Sequence, residues 1–135
     1  MLFRRVDLED VVSAHLLAIE KARSIGFGRY VVSATTPFSS GDLAELRQDA
    51  PAVARQLFPD YPATFAERRW KMFPSIDRVY VNARARTDLC WQPKYDFHHV
   101  LDCLRRGDDF RSGLARQVGS KAYHDTAFEH GRYPV

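Results

Sequence analysis

Two kinds of residue in this 135-residue chain could do chemistry: one histidine–cysteine pair and several short clusters of arginine. His99 and Cys103 are four positions apart on a predicted helix, so together they could offer two ligands to zinc. A zinc site uses about four ligands, and no second ligand pair stands at a recognisable spacing. We therefore predict no metal site. The two cysteines, Cys90 and Cys103, do not make a disulfide framework, and we expect free thiols.

The arginine clusters at positions 4–5, 68–69 and 105–106 could meet phosphate, because a planar guanidinium group binds phosphate oxygens in pairs. Each cluster is short, and 20 lysines and arginines are scattered among 17 acids, which leaves a net charge of +3. Nucleic-acid binding would require a basic patch or stripe. The pattern favours solvated faces, and we expect no nucleic-acid partner.

Length and composition predict one domain spanning residues 1–135. With 45% hydrophobic and 13% aromatic residues, the chain can bury a core of its own. No apolar run approaches the ~20 residues of a membrane helix. The first residues, Met-Leu-Phe-Arg-Arg, lack the apolar run of a secretory signal. We expect no membrane partner and a cytoplasmic location.

Two helices joined by a rigid link are predicted between Asp77 and Leu104. Asn82 can cap a short helix through Leu89, because its side chain can accept bonds from the first free amides. Pro93 stops that helix from continuing. A cap at Asp96 then starts a second helix, whose apolar residues recur at helical spacing: Phe97, Val100, Leu101 and Leu104.

The N-terminal region predicts a strand, a helix and a second strand. Leu2 to Val6 forms the first strand, and Asp7 caps the helix with Asp10 three residues on, as in a capping box. A glycine-containing turn precedes the second strand, from Arg29 to Ala34. The helix between the strands carries one buried stripe, formed by Val11, Ala14, Ala18, Ile19 and Ala22.

Capping signals predict further helices along the chain. Ser39 with Asp42 offers a second capping box, and Asp49 with Pro51 opens the helix after it. Near the C-terminus, Gly107 ends a helix and Asp108 or Asp109 caps another.

Three segments resemble the C-terminal part of the NAD-dependent epimerase/dehydratase family, the extended short-chain dehydrogenases that act on nucleotide sugars. Residues 6–15, VDLEDVVSAH, resemble the family's V-x-x-x-D-V-x-x-A block. Residues 89–93, LCWQP, resemble its Leu-Gly-Trp-x-Pro segment, with Cys90 in place of glycine. A left-handed backbone there would cost cysteine about 1 kcal/mol. Residues 118–124 resemble a V-G-x-K-G-Y-H ending, with Ala122 in place of glycine.

The resemblance implies an α/β fold fragment, namely a mainly helical substrate domain with a few short strands and most of the Rossmann sheet missing. Residues 29–34 would be the last parallel strand of that sheet. Family members also place a short extended segment where Ala63 to Trp70 stands, followed by a basic loop that covers the nucleotide.

The same resemblance indicates four candidate substrate-binding residues. Arg4 and Arg5 lie near the place where an arginine often touches the sugar nucleotide. Arg69 and Arg78 lie nearest to the residues that bind the diphosphate and the base. For the last two, exposed arginines on a surface loop remain the alternative interpretation.

The catalytic apparatus of the family has no counterpart here. None of the seven glycines forms the pattern G-x-x-G-x-x-G that holds a dinucleotide pyrophosphate. No tyrosine is followed four positions later by the lysine that would lower its pKa for proton exchange. NAD(P) is implied for the full-length family protein, and no cofactor and no catalytic residue are expected in this chain alone.

These observations predict the substrate-binding, C-terminal portion of an NAD-dependent epimerase or dehydratase, inactive by itself. The implied partners are a nucleotide sugar or related small molecule and the missing Rossmann half, with self-association where that half is absent. The alternative is a stand-alone module, derived from the same fold, that binds a partner or supports assembly.

Overall fold

The computed structural model describes residues 1–119, and in that range the chain is mainly helical, as predicted. Residues 120–124 of the family-like C-terminal ending lie outside the described residues. No helix in the described range is long and apolar enough to cross a bilayer. The described part of the chain has one short 3₁₀ turn (Ser40–Asp42) and six α-helices: α1 (Leu8–Ile25), α2 (Leu43–Leu57), α3 (Tyr61–Glu67), α4 (Ala83–Leu89), α5 (Phe97–Arg106) and α6 (Gly113–Val118).

Most of the predicted helix boundaries are confirmed by hydrogen bonds at the helix ends. The Asp7 carboxylate accepts from the backbone N–H of Glu9 at 2.9 Å, and Asp96 accepts from that of His99 at 2.9 Å. The capping box of Ser39 and Asp42 is present. Asp49 has non-helical backbone angles, so α2 is two helical pieces joined at a kink.

The predicted extended segment from Ala63 to Trp70 is wrong, because α3 occupies most of it. Tyr61 and Thr64 are both buried, which requires them on one helical face. The rings of Tyr61 and Phe65, four residues apart, also pack edge to face with centroids 5.3 Å apart.

The two predicted strands, Leu2–Val6 and Arg29–Ala34, lie side by side but form no β-ladder within residues 1–119. The Ala34 N–H donates to the Arg5 carbonyl at 2.9 Å, and the Tyr80 N–H donates to the Phe3 carbonyl at 2.8 Å. A strand requires repeated bonds to a neighbour, and single bonds at each place do not make one. The prediction of two strands is therefore wrong within the described residues: the two segments are neighbours, but they form no sheet.

The core consists of two clusters. The larger one joins the N-terminal segment to α2, α3 and α5, through residues that include Leu2, Leu46, Tyr61 and Phe97. The smaller cluster joins α1 to α4 and the following link, and consists of Ala14, Ala85, Leu89 and Trp91.

The predicted buried stripe of α1 is correct at Ala14, and it is wrong at Ile19, which is 72% exposed, and at Ala22, which is also exposed. A second apolar stripe, formed by Val12, Leu16 and Ile19, runs along the outer side of this helix at spacings of four and three. Two apolar stripes on one helix made the inward face ambiguous in the sequence. We call this second set of three residues the outer stripe.

Two predicted caps are also wrong. Ser112 caps α6 by accepting from the Ala115 N–H at 3.0 Å, whereas Asp109 accepts from the Arg111 N–H just before the helix. Asn82 stands at the start of α4, but its side chain makes no cap bond. Its amide instead donates to the Ser33 carbonyl at 2.8 Å, because Asn82 is buried against that segment.

The sequence left open whether the link at Cys90 is strained or shaped differently, and Cys90 adopts the left-handed conformation, with φ 55° and ψ 32°. Its thiol is exposed and lies 3.0 Å from the ammonium group of Lys21. The backbone therefore carries strain at a residue whose side chain is exposed and contacts Lys21 at the surface.

We predict that Cys90→Gly raises the free energy of unfolding by about 0.5–1 kcal/mol, because glycine adopts this conformation without a Cβ clash. Arg86→Gly is the matched control, since Arg86 is exposed in the interior of α4 and glycine there should cost about 0.5–1 kcal/mol. Urea denaturation of both variants measures the difference. Equal destabilisation by the two glycines would contradict the strain at Cys90.

Candidate functional site

A cavity of about 270 Å³ lies between the N-terminal segment and the loop that follows α3. Its lining combines apolar residues with three cations, Arg4, Arg5 and Lys71. Within the described residues, no aspartate or glutamate lines this cavity. An apolar interior with positive charge on one side makes it the best candidate for a ligand site.

Aromatic contacts hold the two sides of the cavity together. The rings of Phe3 and Phe73 meet edge to face, with centroids 5.5 Å apart. The guanidinium of Arg4 lies 5.2 Å from the centre of the Phe3 ring. These contacts place the Arg4 cation beside the aromatic pair that joins the two sides of the cavity.

The turn from the N-terminal segment into α1 is fixed by two buried carboxylates. Asp10 is 2% exposed and accepts from the backbone N–H groups of Lys94 at 2.9 Å and Tyr95 at 3.0 Å. Asp7 accepts from the Ser112 N–H at 3.1 Å, in addition to capping α1. Arg4 and Arg5 therefore belong to a segment that these hydrogen bonds hold in place at the residues that follow it.

Burial raises the pKa of Asp10 above its usual value, and the two backbone amides that donate to the carboxylate oppose this rise in part. The predicted capping-box role of Asp10 is wrong, because both of its oxygens are used by the segment that follows Pro93. A carboxylate that satisfies two amides from a distant segment acts as a tertiary link rather than as a helix cap.

Of the four predicted substrate-binding residues, the structure brings Arg4 and Arg5 to the cavity and leaves Arg69 and Arg78 out of its lining. All four side chains are exposed. Arg69 has a left-handed backbone with φ 58°. Its neighbour Arg68 donates to the Leu104 carbonyl at 2.7 Å and so binds the C-terminal end of α5.

Sequence reasoning missed Lys71 and Phe73 as lining residues. Both are exposed and neither belongs to a helix, although Phe73 is a large aromatic residue with 55% exposure. An aromatic residue two positions after a basic one, in a loop bounded by Pro74, was the available signal.

His99 and Cys103 do face each other, with the Nε2 and Sγ atoms 3.5 Å apart. The same Nε2 lies 3.2 Å from the Phe110 carbonyl oxygen, so the ring is held against the backbone. Residues 1–119 contain no group of three or more side chains that could hold a metal ion.

Comparison of this chain with models of protein families, with curated proteins and with solved structures finds no match. Its function is therefore argued from its own residues and their arrangement.

We predict that Asp10→Asn lowers the free energy of unfolding by about 2–3 kcal/mol, because the amide keeps one acceptor oxygen and turns an NH₂ group toward a backbone donor. Asp77→Asn is the matched control, since Asp77 is exposed and should change stability by less than about 0.5 kcal/mol. The measurement is the free energy of unfolding in urea. A loss at Asp10 no larger than at Asp77 would show that this carboxylate does not hold the segments together.

Proposed function

We propose that this chain is the substrate-binding, C-terminal portion of an NAD-dependent epimerase or dehydratase of the extended short-chain type. Its substrate is a nucleotide sugar or a related small molecule, and the chain alone carries out no oxidation or reduction. The nicotinamide cofactor belongs to a Rossmann half that this chain joins.

The observation that carries the proposal is the pair of bonds between two segments that resemble the same family. The V-x-x-x-D-V-x-x-A block contributes Asp10, and the residues next to Trp91-Gln92-Pro93 contribute the amides of Lys94 and Tyr95. These groups lie 84 and 85 positions apart in the chain. Two family-like segments that contact each other support a shared family origin better than two such segments that lie far apart in the structure.

A second observation is the apolar surface left without a cover. The outer stripe of α1 is exposed, and so are Phe27 at 81%, Val31 at 45% and Val81 at 62%. Val31 and Val81 belong to the segments that flank the N-terminal segment without a ladder. A face of this kind is what a Rossmann half with its parallel strands would cover.

The residues of this chain do not fit a dinucleotide. The sequence has no glycine-rich turn at the start of a helix and no tyrosine followed four positions later by lysine. We therefore assign no step of hydride chemistry to it. Its own contribution is to hold the substrate through Arg4, Arg5 and the cavity beside them, with Arg69 and Arg78 as further candidates on the neighbouring surface.

The stand-alone module remains the competing function, and the same exposed surface would then serve a different protein. The two proposals differ in whether the chain needs a cofactor-binding half in order to function. An enzyme portion requires one particular cofactor-binding half, whereas a module is complete without it.

We predict that joining this chain to a cofactor-binding half encoded upstream of Met1 produces a protein that retains NAD or NADP through gel filtration. The chain alone should retain neither. Absorbance of the bound dinucleotide measures the result, and the isolated upstream half is the control. Oxidation or reduction of a substrate by the 135 residues alone would overturn the proposal, as would the absence of any such half in the extended reading frame.

We also predict that Leu16→Glu reduces self-association of the isolated chain in sedimentation velocity and prevents its assembly with the cofactor-binding half. Leu16 is 62% exposed, so the free energy of unfolding should change by less than about 0.5 kcal/mol. Ala22→Glu is the matched control, because Ala22 is exposed on α1 outside the outer stripe. Equal assembly of the two variants would show that the outer stripe is not the contact surface.

A further inference from the structure

The composition of the cavity lining limits which part of a substrate can enter it. Apart from Arg4, Arg5 and Lys71, every lining side chain is apolar, and five of these are phenylalanines. Among residues 1–119, no serine, threonine, asparagine, glutamine, tyrosine or histidine side chain lines the cavity. Hydroxyl groups of a sugar or the polar edge of a base would find no neutral side-chain partner there, and burying such groups unpaired is costly.

The three cations stand where the cavity meets solvent. Their side chains are exposed, whereas deeper lining residues such as Leu2, Phe97 and Val100 are buried. None of the three cations forms an ion pair with another residue in the range 1–119. With no acid in the lining, the mouth of the cavity carries positive charge that is free to meet an anion.

We propose that this cavity binds a small amphipathic anion, with an apolar chain or ring inside and a phosphate or carboxylate at the mouth beside Arg4, Arg5 and Lys71. The inference rests on the proposed function in taking this cavity as the place where the substrate binds. Of the two substrate classes named there, it selects the related small molecule over the nucleotide sugar, because the lining suits an apolar group that adjoins an anionic group.

The probes are octyl phosphate, octanoate, 1-octanol, inorganic phosphate and uridine monophosphate, titrated into the full chain by calorimetry. Octyl phosphate or octanoate should bind at least tenfold more tightly than uridine monophosphate, and the tighter of the two identifies the anionic group. Binding should tighten about tenfold from hexyl to octyl for that head group, since each buried methylene contributes about equally. Inorganic phosphate should give no measurable binding.

Variants separate this cavity from other apolar surfaces. Arg5→Gln and Lys71→Gln should each weaken binding of the anionic octyl probe at least fivefold and leave 1-octanol unchanged. Arg47→Gln removes the same charge at an exposed arginine of α2 outside the lining, so it is the matched control and should bind like the unaltered chain. Leu16→Glu should also bind normally, which excludes adsorption to the outer stripe. These four variants are surface changes, and thermal melts establish that each is folded.

The inference is overturned if uridine monophosphate binds more tightly than both octyl anions, if inorganic phosphate alone binds as well as they do, or if Arg47→Gln weakens binding as much as Arg5→Gln. Tighter binding of uridine monophosphate would leave the proposed function intact. Conversely, binding of an octyl anion as expected, together with no retention of NAD or NADP by the joined protein, would leave the cavity assignment standing and the proposed function without support.

Discussion

The arrangement of this chain depends on one buried carboxylate. Asp10 sits in the first turn of α1 and accepts two backbone amides from the segment after Pro93. Amides of an irregular segment cannot be satisfied by a helix or a sheet, so once buried they need an acceptor from elsewhere in the chain. Asp10 supplies it, and in doing so it brings the two halves of the described chain together.

Other buried polar side chains also form hydrogen bonds to parts of the chain that are distant in sequence. The indole N–H of Trp91 donates to the Ser13 hydroxyl at 3.0 Å, and the Asn82 amide donates to the Ser33 carbonyl. Each bond joins α1 or the segment at 29–34 to the region around α4. In a small domain without a β-ladder, bonds of this kind help to specify one folded arrangement, because each buried polar group has a single correct partner.

The N-terminal segment borders both the cavity and part of the exposed apolar surface. Within the described residues it has neighbours on two sides, and each neighbour contributes one backbone bond to it. Val31 and Val81, which belong to these neighbouring segments, are exposed. The same N-terminal segment contributes Arg4 and Arg5 to the lining of the cavity.

The sequence by itself determined the local features, because they depend on neighbours within about one helical turn. It predicted the helices starting at Asp7 and Asp96 and the capping box of Ser39. The tertiary structure decided which polar side chains cap the helix at whose start they lie and which form hydrogen bonds to a distant segment. Asp10 and Asn82 have the residue types of helix caps, and both are used elsewhere because burial offered them unpaired backbone groups far away in the chain. It also decided that Ile19, rather than the opposite stripe of α1, faces outward. It brought Lys71 to the same cavity as Arg4 and Arg5, and contacts between residues more than sixty positions apart leave no periodic signal in the sequence.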